Sequence, residues 1–353
     1  MQAREPEVGE AVEVELVVEC RRAGVEPERA EVDVVVASLP PGASGAIGWA
    51  LRVLRNVPYV VEYRDPWTVG AFWAAGADGR PRDDPVTRSR VAVATRLEAA
   101  LLRLAAGAVI VNGESHVEQL RTRFPDATAG KPVAYIPNGV DLEDVCTEQR
   151  PRDQQTLRLL HTGFFYHFHT PHNVISALRL VRRDHPKVLA DVELEFMGDG
   201  FPPQLRREAE GWGLSDVLRF TPAASYSQAL AAMQAADGLL ILVPALASDR
   251  DRLSTKMYEY LSTDRPVLAV VHPDGATAVL LATVPDALVA DNGDEAAIAK
   301  GIVEIIQLAR IRRVAHAAGT RHVERHHYAE RAARMHALLG AVVRSAPKRR
   351  RNK

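Results

Sequence analysis

Short apolar runs alternate with helical patterns along almost the whole of this chain, and that alternation leaves few architectures open. Val32–Ser38, Pro58–Tyr63, Ala108–Val111 and Val133–Ile136 are dense in apolar and aromatic residues. Ala43–Leu54, Val86–Ala106 and Glu114–Phe124 stand between them with helical spacing. A strand that is apolar on both sides is buried on both faces, as in a parallel sheet covered by helices. The alternation therefore predicts α/β layers with parallel sheets. Residues 68–85 carry Gly, Pro and Asp without period and predict a long loop.

The pattern then stops and restarts. Pro137-Asn138-Gly139 makes a turn, and residues 141–156, DLEDVCTEQRPRDQQT, are polar. Leu157–Leu160 opens the second half, ending at His161-Thr162-Gly163. Val174–Arg183 is helical, and Val192–Phe196 is a strand followed by Gly198-Asp199-Gly200. Further strands are expected at Val217–Phe220, Leu239–Val243, Val267–Val271 and Ala287–Ala290, with helices starting near Ser225, Ser254, Asp274 and Asp294. Arg- and His-rich helices fill 302–342. The expected domains are 1–140 and 157–320, joined by a linker at 141–156, with a basic disordered tail at 343–353.

Composition narrows the function classes. Hydrophobic residues make up 47% and charged residues 25%, a globular balance. The net charge of -1 argues against a general nucleic-acid binder. Two cysteines, Cys20 and Cys146, cannot build a disulfide framework, and they fit a reducing, cytoplasmic compartment. No apolar run approaches membrane-spanning length. Five of the last six residues, Lys348–Lys353, are cations, and without them the net charge is -6. That tail is either a solvated overhang or a weak contact for the anionic inner face of a membrane. The twelve His show no metal-binding spacing. His316, His322, His326, His327 and His336 read as solvated faces of the Arg-rich helices.

The chemistry concentrates in Leu253–Val270, LSTKMYEYLSTDRPVLAV. Ser254 and Thr255 suit the cap of a helix that follows a strand and a loop. Backbone N–H groups at a helix start attract an anion, and Lys256 adds a mobile cation there. Glu259 lies three residues on and shares its face. A diphosphate at the helix start and a diol held by Glu259 would suit a nucleotide sugar. A capped helix with an ordinary Lys–Glu surface pair is the alternative.

KMYEYLSTDRPVLAV resembles the donor-site segment of the retaining GT-B glycosyltransferases of family 4. Other blocks resemble that family in the same order: SLPPGASGAIGWALRVLRNVPYVVEYRDPW, AVIVNGESHVEQL, YIPNGVD and LHTGFFYHFHTPHNVISAL. The resemblance implies an α/β fold of GT-B architecture, two Rossmann-like domains facing across a cleft. Helices at about 321–342 would pack back on the N-terminal, acceptor-side domain, and 157–320 would bind the donor. It implies transfer of a sugar, with retention, from a UDP- or GDP-linked donor to an acceptor hydroxyl. The acceptor would be a glycan, a lipid-linked sugar or a small aglycone, and no cofactor or metal is required. The alternatives are a non-catalytic relative that binds a nucleotide sugar, and a nucleotide-sugar epimerase of the same architecture.

Residue by residue, the resemblance implies that Glu259 binds the ribose and that Ser254, Thr255, Lys256 and the backbone at Gly163 meet the diphosphate. Thr221 and Pro222 would receive the base. Many members carry a second Glu at the donor site, and here that position is Asp251. The usual cation after the first strand of the donor domain is missing from Phe164–His169. His167 or His169 would substitute for it, or the segment is aromatic packing. On the acceptor side, Asp65 stands where relatives often carry His, between Arg64 and Pro66-Trp67. It would orient or deprotonate the acceptor hydroxyl; a loop cap or an Arg64 pair is the alternative. Members also begin with a strand and a Gly-rich loop, whereas here residues 1–31 are Glu-rich and no Gly-rich loop precedes Gly42. A shortened first unit and impaired transfer are expected on that ground.

Overall fold

The computed structural model describes residues 32–68, 82–111, 113–141, 156–165, 170–244, 250, 253–315 and 328–346. The acidic start at 1–31, most of the 68–85 loop and of the 141–156 linker, Asp251, and most of the basic tail lie outside the described residues.

The first half alternates strand and helix: β1 (Val35–Leu39), α1 (Gly42–Arg55), β2 (Tyr59–Tyr63), α2 (Pro85–Leu104), β3 (Gly107–Ile110), α3 (Ser115–Arg123), the single turn α4 (Pro125–Thr128) and β4 (Val133–Tyr135). The strands pair in parallel in the order β1-β2-β3-β4. Side chains alternate across the sheet. Tyr59, Val61, Ala108 and Ile110 pack with Leu102, Leu120 and Phe124 from the helices on one face. Val60, Val109, Val111 and Ile136 form the opposite face. The chain covers that face from its far end: Val342, Met335, Leu338 and Leu339 of α11 (Tyr328–Ser345) lie on it. Arg334 also donates to the Tyr135 carbonyl at 2.6 Å. Asp84 caps α2, accepting the Thr87 N–H at 2.9 Å, with Pro85 at the first helical position.

The second half is β5 (Leu157–Thr162), α5 (His172–Asp184), β6 (Val192–Met197), α6 (Pro203–Gly211), β7 (Leu218–Thr221), α7 (Tyr226–Ala235), β8 (Gly238–Leu242), α8 (Thr255–Leu261), β9 (Val267–Val271), α9 (Ala276–Leu281), β10 (Ala287–Asp291) and α10 (Glu295–Ala315). Its six strands run in parallel in the order β10-β9-β8-β5-β6-β7. From β5 the chain winds outward through β6 and β7, then returns to the other side of β5 for β8, β9 and β10. Loops leaving β5 and β8 therefore diverge to opposite faces, and a crevice opens between their C-terminal ends. One face buries Leu159, Phe196, Leu240 and Leu268 under α5 and α10. The other buries Leu160, Leu239, Ile241 and Ala269 under α7, α8 and α9.

Four elements depart from the sequence reading. Helix α11 runs on to Ser345, three residues into the stretch expected to be a disordered tail, because the packing of Val342 on the first sheet carries its last turn. Helix α6 is absent from it, because among its nine residues only Leu205 and Ala209 are buried, too few to give a period. Helix α2 stops at Leu104 rather than Ala106: the Ala106 N–H leaves the helix to bond the Tyr59 carbonyl at 2.8 Å, leading the chain into β3. The turn α4 begins at Pro125, which ends the periodic stretch of α3.

Candidate functional site

The crevice between β5 and β8 is built by helix α8. Three of its sides are buried, through Met257, Tyr258, Tyr260 and Leu261. Lys256 and Glu259, three residues apart, share the remaining face and are only partly buried. Two tyrosines set the helix in place. The Tyr260 hydroxyl accepts the Thr162 N–H at 2.8 Å, fixing α8 to the end of β5. The Tyr258 hydroxyl is hydrogen-bonded to that of Tyr135 in β4, which joins α8 to the first sheet.

Beyond Thr162 the backbone turns at Gly163, with φ +138. A β-carbon there would fall on the Lys256 ammonium, so the glycine is what lets Lys256 lie across the end of β5. Gly198, φ +152, does the same for the neighbouring strand: its β-carbon would fall on the Gly163 carbonyl. Backbone bonds from Gly163 N–H to Met197 and from Gly198 N–H to Thr221, both 2.9 Å, tie the ends of β5, β6 and β7 into one floor.

Glu259 is the carboxylate of this crevice. Burial pushes it above the ordinary carboxylate range, while Lys256 and a hydrogen bond from the Tyr226 hydroxyl draw it partly back. Tyr226 opens α7, whose start is fixed by a reciprocal bond between Ser225 and Gln228. Tyr328, the first residue of α11, also stands near Glu259, and its N–H donates to the Val140 carbonyl at 3.1 Å. Burial raises the Tyr328 hydroxyl; Glu259 and Asp141 raise it further, and Arg64 lowers it. Arg64, just after β2, and Glu259 of the second half thus both act on this hydroxyl.

Two family models match the chain. Residues 6–139 match the Glycosyl transferase 4-like domain, and residues 156–308 match Glycosyl transferases group 1. The structure is similar to sucrose-phosphate synthase from Thermosynechococcus elongatus, with a TM-score of 0.65 at 17% identity over 90% of this chain and 75% of that one. The chain belongs to the GT-B glycosyltransferases.

Further structural neighbours of this glycosyltransferase are trehalose-phosphate synthases. The α,α-trehalose 6-phosphate synthase from Burkholderia multivorans aligns with a TM-score of 0.60 and 13% identity, over 89% of this chain and 72% of that one. The UDP-forming enzyme from Burkholderia xenovorans gives 0.61 and 13%, over 88% and 74%. No curated protein matches the chain in sequence. Among the described residues, no helix of this glycosyltransferase is long and apolar enough to cross a membrane.

The residues singled out in the sequence fall into three groups. Gly163, Lys256 and Glu259 are brought together in the crevice, while Arg64 acts on the neighbouring Tyr328 hydroxyl. Thr221 and Trp67 are engaged elsewhere, and Ser254 is less engaged than its sequence position suggests. Ser254 holds the cap position of α8, but its side chain makes no capping bond, which corrects the capping role given to it. The Thr221 hydroxyl donates to Glu195 at 2.7 Å, inside the sheet, while Pro222 beside it is exposed. The Trp67 indole lies across Gly42 at the start of α1 and packs on the first core. Asp65 follows Arg64 at the strand end, half-buried, and Thr255 is the first residue of α8. Asp251, His167 and His169 lie outside the described residues. Of the Phe164–His169 segment, Phe165 stacks on His161 with centroids 5.2 Å apart, whereas Phe164 is exposed. Tyr226, Tyr260 and Tyr328 were not singled out from the sequence. Each stands on a different element, and no local pattern marks a tyrosine that meets its partner only in the fold.

Proposed function

We propose that this glycosyltransferase moves a sugar from a UDP- or GDP-linked donor to an acceptor hydroxyl, with retention of configuration. The observation that carries the reading is the Lys256 ammonium lying over Gly163 at the β5/β8 crevice, with Glu259 one turn further along the same helix. A diphosphate in the crevice would be held by Lys256, by the backbone at Gly163, and by the N–H groups and hydroxyls of Ser254 and Thr255. Glu259 would accept hydrogen bonds from the two ribose hydroxyls, with Tyr226 fixing its orientation. The base would lie toward Thr221 and Pro222. Leaving-group charge grows on the diphosphate as the glycosyl bond breaks, so a fixed cation there lowers the barrier.

On the acceptor side, Asp65 would orient or deprotonate the incoming hydroxyl, and Arg64 would add positive charge near the departing phosphate. Trp67 would form a wall of that subsite. Asp251 remains a candidate by its position eight residues before Glu259. The acceptor classes that fit are a glycan, a lipid-linked sugar or a small aglycone, and the reaction belongs in the cytoplasm.

Calorimetry with paired ligands tests the diphosphate role. Lys256→Ala should weaken UDP or GDP binding by roughly 10- to 150-fold, the scale of one charge-assisted hydrogen bond. Uridine and guanosine binding should hardly change, and the difference should shrink at high salt. Equal losses for nucleoside and nucleotide would remove Lys256 from the diphosphate site.

A further inference from the structure

The first domain exposes apolar residues in one place far more than elsewhere. Helix α1 turns Trp49, Val53 and Leu54 to solvent, Leu54 at 77% exposure. Its only charged residues are Arg52 and Arg55 at its end. On α2, Val86, Val93, Leu97 and Leu104 are exposed, Leu97 at 53%. Their spacing of seven, four and seven residues keeps them on one line along the helix. The two helices are neighbours: a β-carbon at Gly45 of α1 would strike Leu101 of α2. A helix whose solvent face is apolar is covered by something other than water.

The exposed charges on the two helices themselves have one sign. Helix α2 carries Arg88, Arg90, Arg96 and Arg103, and its only carboxylate, Glu98, is 1% exposed and bonded to Thr68. Arg88 pairs with Asp83 at the helix start, but Arg90, Arg96 and Arg103 form no ion pair among the described residues. At 100° per residue, Arg90 flanks one side of the apolar line, and Arg96 and Arg103 the other. Large apolar side chains bordered by arginines, with no exposed acid on either helix, complement a surface that is apolar within and anionic at its edge.

We infer that the solvent face of α1 and α2 docks on an anionic lipid bilayer. Trp49, Val53, Val93 and Leu97 enter the boundary between headgroups and acyl chains, and the flanking arginines meet lipid phosphates. Both helices start at the cleft end of the first sheet, beside Trp67 and Asp84. A docked bilayer therefore lies alongside the acceptor domain and leaves the Lys256 crevice open to solvent. The proposed surface does not include the cations of Lys348–Lys353.

Flotation of the full chain with vesicles tests this. Phosphatidylcholine vesicles containing phosphatidylglycerol should carry the protein, in a salt-sensitive manner, and pure phosphatidylcholine vesicles should carry much less. Arg96→Gln with Arg103→Gln should weaken partitioning roughly tenfold or more. Trp49→Ser with Leu97→Ser should do likewise, with UDP or GDP affinity unchanged as the check on folding. Neutralising the five tail cations should leave most of the binding. Brominated lipid should quench a fluorescence component that Trp49→Phe removes. The inference is overturned by binding lost only with the tail charges, by a Trp49 signal already shielded from aqueous quencher without vesicles, or by an apolar double variant that splits a dimer and leaves flotation intact.

Discussion

Glu259 carries opposing demands. Binding a ribose diol needs its ionised form, while burial favours the neutral one. Its folded pKa is raised above the unfolded value, so the unfolded chain gives up this proton first as pH rises. The resulting penalty on stability is absent below the unfolded pKa, grows as pH rises through the folded one, and is constant above it. Glu259→Gln removes the penalty. The variant should melt higher than the parent at about pH 7 and converge with it below about pH 4. Its nucleotide affinity should fall at least tenfold, because a neutral amide replaces a charged acceptor in about 1.5–3 kcal/mol of hydrogen bonding. Thermal melts across pH, with calorimetry at neutral pH, check both halves. A variant that melts lower while binding normally would mean that Glu259 is a structural partner of Tyr226 and Lys256. The Lys256–Glu259 pair is visible in the sequence because both residues lie on one short helix. Its partners are not, since Tyr226 and Tyr328 reach Glu259 from two other elements.

At the scale of elements, α8 shows how a short helix becomes a precise platform. Seven residues cannot hold a helix in water by themselves. The Tyr260 bond to Thr162 and the burial of Met257 and Leu261 supply what length does not. Tyr260→Phe keeps the ring but leaves the Thr162 N–H buried without its acceptor. That should cost about 1–3 kcal/mol and lower Tm by roughly 2–12 °C, with nucleotide affinity falling as Lys256 loses its fixed position. A melting curve beside a nucleotide titration reads both, and an unchanged Tm would show that α8 is held by packing alone. The same scale explains what the sequence makes legible. Parallel strands buried on both faces are continuous apolar runs, so Val267–Val271 is identified to the residue. The α7 start follows from Ser225 with Gln228. Helix α6 escapes notice because it shows the core only two residues. The order of the strands is set by pairing between distant segments, and no local pattern encodes it.

For the whole molecule, the two sheets are joined by more than the linker. Val140 is buried in the second core, Tyr135 meets Tyr258, and α11 returns to close the first sheet. Val342 is the deepest of the α11 contacts, beside Val60, Val109 and Ile136. Val342→Asp would put a carboxylate there, at a cost of about 3 kcal/mol or more. Limited proteolysis should then cut the first domain before the second, while Val342→Ile should behave like the parent. Simultaneous cleavage of both domains would show that they unfold as one unit.

The return of α11 also sets a timetable for synthesis. Val60, Val109 and Val111 leave the ribosome before the second domain, but the helix that covers them follows that whole domain. At about 5–20 residues per second, the roughly 230 residues from Val111 to Val342 take on the order of 10–50 s to translate. Through that interval one face of the first sheet is unsheltered, while the second domain can already complete its own core. The half that is translated first is therefore the half that matures last, and a nascent chain stalled before α11 presents a valine-rich surface to any chaperone that recognises exposed strands.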